Sequence, residues 1–160
     1  MTEASADVLF DGPDLRARSV GPVAVMAWHA TPRRATIEAV APRVRSHREA
    51  HPHGVALAMT VRGAPPDDEA RTALREMVRS VERSMLGVGV VVGVAGLRGT
   101  IVRTAINTAV RALRLPFDVK VLESAGLVAR HLEGLFVGAK LDAPRAADIE
   151  RAVEELARPR

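Results

Sequence analysis

The sequence predicts an α/β fold: four βα units around a mostly parallel sheet, an extra strand at the N-terminal end, helices stacked mainly on one face, and a further C-terminal helix. Apolar, β-branched runs centred near Val25, Leu57, Val91 and Val119 recur about every 30 residues, the length of a strand plus its crossover. Amphipathic stretches of helical period fill the intervals. Large and small residues alternate within the strands: Val55, Leu57, Met59 and Val61 interleave with Ala56, Ala58 and Thr60, and Val88, Val90, Val92 and Val94 with Gly89, Val91 and Gly93. Strands covered on both faces by bulky layers run large throughout, so one face here is core and the other is thin.

Residues 1–14 show no periodicity and read as a flexible acidic leader. Leu15 to Val20 and Val23 to Trp28 read as strands reversed by Gly21-Pro22, whose dihedrals suit a tight turn. Thr31-Pro32 has the form of an N-cap followed by proline at the first helical position, and Ile37, Val40, Ala41 and Val44 form the apolar stripe of the first helix. Pro42 is expected to kink or divide it. After the strand Val55 to Val61, Pro65-Pro66-Asp67-Asp68-Glu69 opens a second helix with Ala70, Leu74, Met77, Val78 and Val81 inward. The third helix follows Gly96 to Thr100 and is expected to bury Ile101, Ala105, Ile106, Ala109 and Leu113. The fourth starts near Ser124 and uses Leu127, Val128, Leu132 and Leu135; behind Asp142, Ile149, Val153 and Leu156 mark a C-terminal amphipathic helix. The folded domain is expected over 15–138, with the C-terminal helix and tail over 139–160.

The thin sheet face, with Ala56, Ala58, Thr60, Gly89, Val91 and Gly93, is too apolar to stay exposed. The leader, the C-terminal helix or a second copy of the chain could cover it, and the C-terminal helix packing in cis is preferred.

Composition narrows the chemistry. The 160 residues include no cysteine and no tyrosine, which excludes disulfides, cysteine zinc sites and thiol nucleophiles. Lys120 and Lys140 are the only lysines, leaving 21 arginines, so a pI of 10.8 coexists with a net charge of only +4. Charge is uneven: the first fifteen residues carry −4, and residues 16–62 carry +6. The longest apolar and glycine run, Leu86 to Leu97, falls short of the ~18–20 residues of a membrane span, and the expected location is the cytoplasm.

The order of strands and helices over 15–136 resembles the STAS domain of bacterial anti-sigma-factor antagonists, the SpoIIAA-like fold. The part most similar is Val88 to Leu132, with Gly96-Leu97-Arg98-Gly99-Thr100 opening a helix and Pro116-Phe117-Asp118-Val119-Lys120-Val121 followed by Glu123-Ser124-Ala125. The resemblance implies a cytoplasmic regulator that works by protein–protein interaction. It also implies a phosphoacceptor after the strand Val55 to Val61, where this chain reads Gly63-Ala64-Pro65-Pro66-Asp67-Asp68-Glu69 and offers no hydroxyl. Asp67 and Asp68 place fixed negative charge at a helix start, where the family adds it reversibly.

Candidate chemistry is sparse. Leu122-Glu123-Ser124-Ala125-Gly126 lacks the first glycine of a nucleophile elbow. The run Gly93 to Thr100 has neither the Walker lysine nor the nucleotide fingerprint, and close packing explains its glycines. His47, His51 and His53 match no metal signature and read as solvated residues near a helix C-terminus. No catalytic residue, metal or cofactor is assigned. His29, Thr31, Asp67, Asp68, Arg98 and Thr100 fall at strand ends or helix starts, where an α/β fold would place a small-ligand or enzyme site or a partner-binding loop. Arg71, Arg75, Arg79 and Arg83 recur every four residues, a ridge suited to an acidic partner or a polyanion. Sequence-specific reading of nucleic acid is disfavoured, because stacking platforms need aromatics and this chain has three phenylalanines and one tryptophan.

Overall fold

The computed structural model describes residues 7–160, Leu113 by its backbone alone. One six-stranded sheet runs in chain order: β1 (Val8–Asp11), β2 (Leu15–Val20), β3 (Val23–Trp28), β4 (Val55–Val61), β5 (Met85–Val92) and β6 (Asp118–Leu122). β1, β2 and β3 pair antiparallel; β3 to β6 pair parallel. Gly21, at φ 54°, takes the positive dihedral that a two-residue hairpin needs at its first loop position, so Val20 pairs with Val23.

α1 (Arg34–Ala50) links β3 to β4, α2 (Asp68–Val81) links β4 to β5, and α3 (Gly96–Leu113) links β5 to β6. Parallel crossovers are right-handed, and each new strand joins on the same side of the last, so all three helices fall on one face of the sheet. There Ile37, Val40 and Val44 of α1 and Ala70, Ala73, Met77 and Val81 of α2 pack on Leu15, Ala17, Met26, Trp28, Leu57 and Val90.

α4 (Ala125–Gly138) follows β6, and because it joins no further strand among the described residues the crossover rule does not set its side; it lies on the opposite face. With α5 (Ala146–Ala157) it covers the thin side: Val128, Leu132 and Phe136 of α4 and Ile149, Val153 and Leu156 of α5 pack on Val23, Val25, Ala27, Ala56 and Ala58. The helices therefore divide three and two between the faces, not mainly onto one. Glycine in β5 makes the close approach feasible: a β-carbon on Gly87 would lie 2.4 Å from Leu135 Cδ1. The C-terminal helix α5 covers the part of the small-residue face over β2, β3 and β4 in cis, as expected, whereas the part over β5 is covered by α4, which was not among the expected covers.

Several local expectations are corrected. The leader is ordered from β1 onward, where Leu9 and Phe10 pack against the first core; its part before Asp7 lies outside the described residues. Thr31 does not cap α1, whose N-cap is Arg33; its Oγ1 instead accepts a hydrogen bond from the Ala64 amide at 3.0 Å. α1 runs as one element through Pro42. α5 begins after Arg145 rather than Asp142, and Glu133 of α4 accepts from the Ala146 amide at 3.2 Å. Leu127, expected inward on α4, is 39% exposed. α3 turns a different side inward: Ile106 packs against the core, Ile101 and Ala109 are exposed, and Gly99 is the one fully buried position among those described. Gly99 lies against the segment leaving β5: a β-carbon there would lie 2.0 Å from the Val94 carbonyl oxygen.

Candidate interaction surface

The loops at the C-terminal ends of β3, β4 and β5 are closed by packing. A β-carbon on Gly63 would lie 2.3 Å from the Thr31 amide nitrogen, so the β3–α1 and β4–α2 loops touch backbone to backbone. The side chain of Arg62 lies against Gly93. Asp67 caps α2, its Oδ1 accepting from the Ala70 amide at 2.8 Å, and exposed Asp68 pairs with Arg71 in the first turn. Of the hydroxyls around these helix starts, Thr72 Oγ1 donates to the Asp68 carbonyl, and Ser124 Oγ accepts from the Leu127 amide as the cap of α4.

His29 belongs to different surroundings. It lines a cleft of about 420 Å³ with Asp11, Gly12, Pro13, Arg16, Pro159 and Arg160. That cleft includes none of Thr31, Asp67, Asp68, Arg98 and Thr100. The His29 amide donates to the Asp14 carbonyl at 2.8 Å, which fixes the end of β3 to the β1–β2 turn, and its buried Nε2 has no hydrogen-bond partner. The cations of the cleft are already engaged: Arg16 Nη1 donates to the carbonyls of Leu156 and Arg158 at 3.5 and 3.3 Å, and Arg160 pairs with Asp11. Arg16 thus anchors the carbonyl end of α5, where a cation is electrostatically favoured.

The histidines of α1 are not all solvated. His47 is buried, and its Nε2 donates to the Pro22 carbonyl at 3.2 Å across the hairpin turn, leaving its ring centroid 4.8 Å from that of His51. Burial pushes its pKa below the ordinary value, the Pro22 bond opposes this, and His51 lowers it further.

Two exposed features lie on α2 and α3: a row of arginines on the first and an uncharged stripe on the second. Arg71, Arg75, Arg79 and Arg83 are all exposed, and among the described residues only Arg71 of the four has an ion-pair partner. α2 ends at Val81, so Arg83 sits in the 3-10 turn Glu82–Ser84 and leaves the helical ridge. α3 is more unusual. Its outward stripe, Leu97, Ile101, Thr104, Thr108 and Ala112, contains no charge, with Leu97 78% and Ile101 58% exposed. Thr104 and Thr108 donate to the carbonyls of Thr100 and Thr104, both at 2.9 Å, so their donor protons are held within the helix. Thr100 does the same to the Gly96 carbonyl at 3.3 Å. Arg98, Arg103 and Arg111 lie on the same helix, which has no acidic residue.

Of the candidates from sequence, Arg98 and Thr100 belong to this surface, His29 lies apart, and Thr31 and Asp67 are committed to loop and cap contacts. Leu97, Ile101 and the threonines were not expected there. Threonine at steps of four beside an inward glycine is the sequence signal that reveals them. Comparison of the chain with family models, with curated proteins and with solved structures gives no match in any of the three.

Proposed function

We propose that this chain is a non-enzymatic, cytoplasmic regulatory module of STAS-like architecture that docks a partner protein through the outward face of α3. The observation that carries the reading is the uncharged outward stripe of α3: soluble surfaces present apolar side chains singly, whereas Leu97 and Ile101 stand in line on one helix. The antiparallel entry followed by parallel βα units supports the reading at the level of an α/β fold. The β4–α2 loop departs from the family's switch: Asp67 caps α2, Asp68 pairs with Arg71, and no residue from Gly63 to Glu69 offers a hydroxyl to accept a phosphate. The test is affinity capture from the native host with the full chain and with Ile101→Lys. A partner held by the first and lost by the second, at equal melting temperature, supports the reading; a partner held equally by both refutes it.

One observation favours a second reading. Arg75, Arg79 and Arg83 are exposed without ion-pair partners among the described residues, which suits a polyanion. Binding that falls steeply with salt and is insensitive to Ile101→Lys would select it.

A further inference from the structure

We propose that the occupant of the α3 stripe is an acidic amphipathic helix of another protein, lying lengthwise along α3; this rests on the docking reading above and specifies the partner's chemistry. Leu97, Ile101, Thr104, Thr108 and Ala112 are spaced by four, three, four and four residues, which makes a continuous ridge over the length of the helix. Eighteen residues extend about 27 Å, and a straight ridge of that length is matched by the groove of a second helix. The ridge is apolar at one end and small at the other. Threonine and alanine let another backbone come close, whereas a surface adapted to enter lipid carries bulky or aromatic anchors, and α3 has no aromatic residue.

Charge selects among partners. Arg98 and Arg111 border the stripe on its two sides, within about 60–100° of it around the helix axis. A second copy of α3 would set arginine against arginine with no carboxylate between Gly96 and Leu113 to compensate. A helix with leucine or alanine on one side and glutamate at its flanks would complement both features. α3 also has little of its own to hold it: it leans mainly on β5 and β6, and no side chain on it is fully buried among those described. A partner helix would supply the missing packing.

The experiment uses the isotope-labelled full chain and three probes: an 18-residue helical peptide of leucine, alanine and glutamate, its counterpart with lysine for glutamate, and vesicles of phosphatidylserine and phosphatidylcholine. The glutamate peptide should shift the amide resonances of residues 96–113 and bind at least about tenfold more tightly than the lysine peptide. The double variant Arg98→Glu, Arg111→Glu should reverse that preference, and because both side chains are exposed its melting temperature should not change. Equal binding of the two peptides, no binding of either, or shifts confined to other elements overturns the proposal. Binding of vesicles alone assigns the stripe to an anionic lipid surface and overturns it as well. If the peptides fail while a host protein is still lost on Ile101→Lys, docking at α3 stands and the acidic helix falls; if that loss is absent too, the docking reading falls with it.

Discussion

Gly89 of β5 and Val128 of α4 approach so closely that a β-carbon on the glycine would lie 2.7 Å from Val128 Cγ1. The glycine is what seats α4 on the thin face, and Val128 is itself fully buried. Gly89→Val should therefore destabilise the fold by about 1–3 kcal/mol, the range of overpacked cores, read as a lower denaturant midpoint. Adding Val128→Ala should restore part of the loss, because the space for the new side chain is then vacated. A midpoint unchanged by Gly89→Val would mean that α4 is not held at this contact.

α5 closes the same face. Ile149, Val153 and Leu156 are buried, and each contributes about 1.5–3 kcal/mol relative to exposure. Arg16 and Arg18 tie the helix to β2 through the Leu156 and Arg158 carbonyls and Glu155. A chain ending at Gly138 should melt lower or self-associate through the uncovered sheet, detected by calorimetry and sedimentation. A monomer with unchanged melting would show that α5 contributes nothing to the fold.

The extent to which these features were legible in the sequence differs by element. β4, β5 and α2 follow from strong periodicity, and the alternation of large and small residues also signalled that the thin face would be covered. The division of helices between faces was not legible, because right-handed crossover fixes the side of α1, α2 and α3 only, and the apolar side of α4 does not say which sheet face it takes. β1 carries only three apolar residues and becomes a strand through its pairing with β2, a tertiary effect. Apolar spacing places Ile101 inward, whereas α3 turns Gly99 and Ile106 inward; the spacing of its apolar residues alone does not separate the two rotations. The stripe stays hidden in that pattern because Ile101, one of its two large members, reads as core yet is exposed. His47 was misread as solvated because its partner, Pro22, lies in a distant turn.

The arginine ridge should be dispensable for folding. Arg75 and Arg79 are exposed on α2, opposite the buried Ala70, Ala73, Met77 and Val81. Arg75→Glu with Arg79→Glu should change stability by no more than about 0.5 kcal/mol per site, as surface substitutions do, while weakening any acidic partner. A loss of several kcal/mol would make the ridge structural.

His47 should give the fold a pH dependence of definite sign. Its pKa is lowered in the folded state chiefly by burial, so below the ordinary value of 6.5 the unfolded chain binds a proton that the folded chain refuses. Stability from this group is fully present above pH 6.5 and is lost progressively as pH falls from there through the folded-state value, with a limiting slope of about 1.4 kcal/mol per pH unit. His131 is shifted in the same direction, by burial and then by Lys120, so it adds to the slope. Denaturant midpoints at pH 7.5 and 5.5 should differ in the native sequence and differ less in His47→Gln, which keeps an N–H able to donate to the Pro22 carbonyl but does not titrate. An equal drop in both proteins would show that His47 titrates alike in the folded and unfolded chain, and the acid sensitivity would then have to come from His131 or from carboxylates.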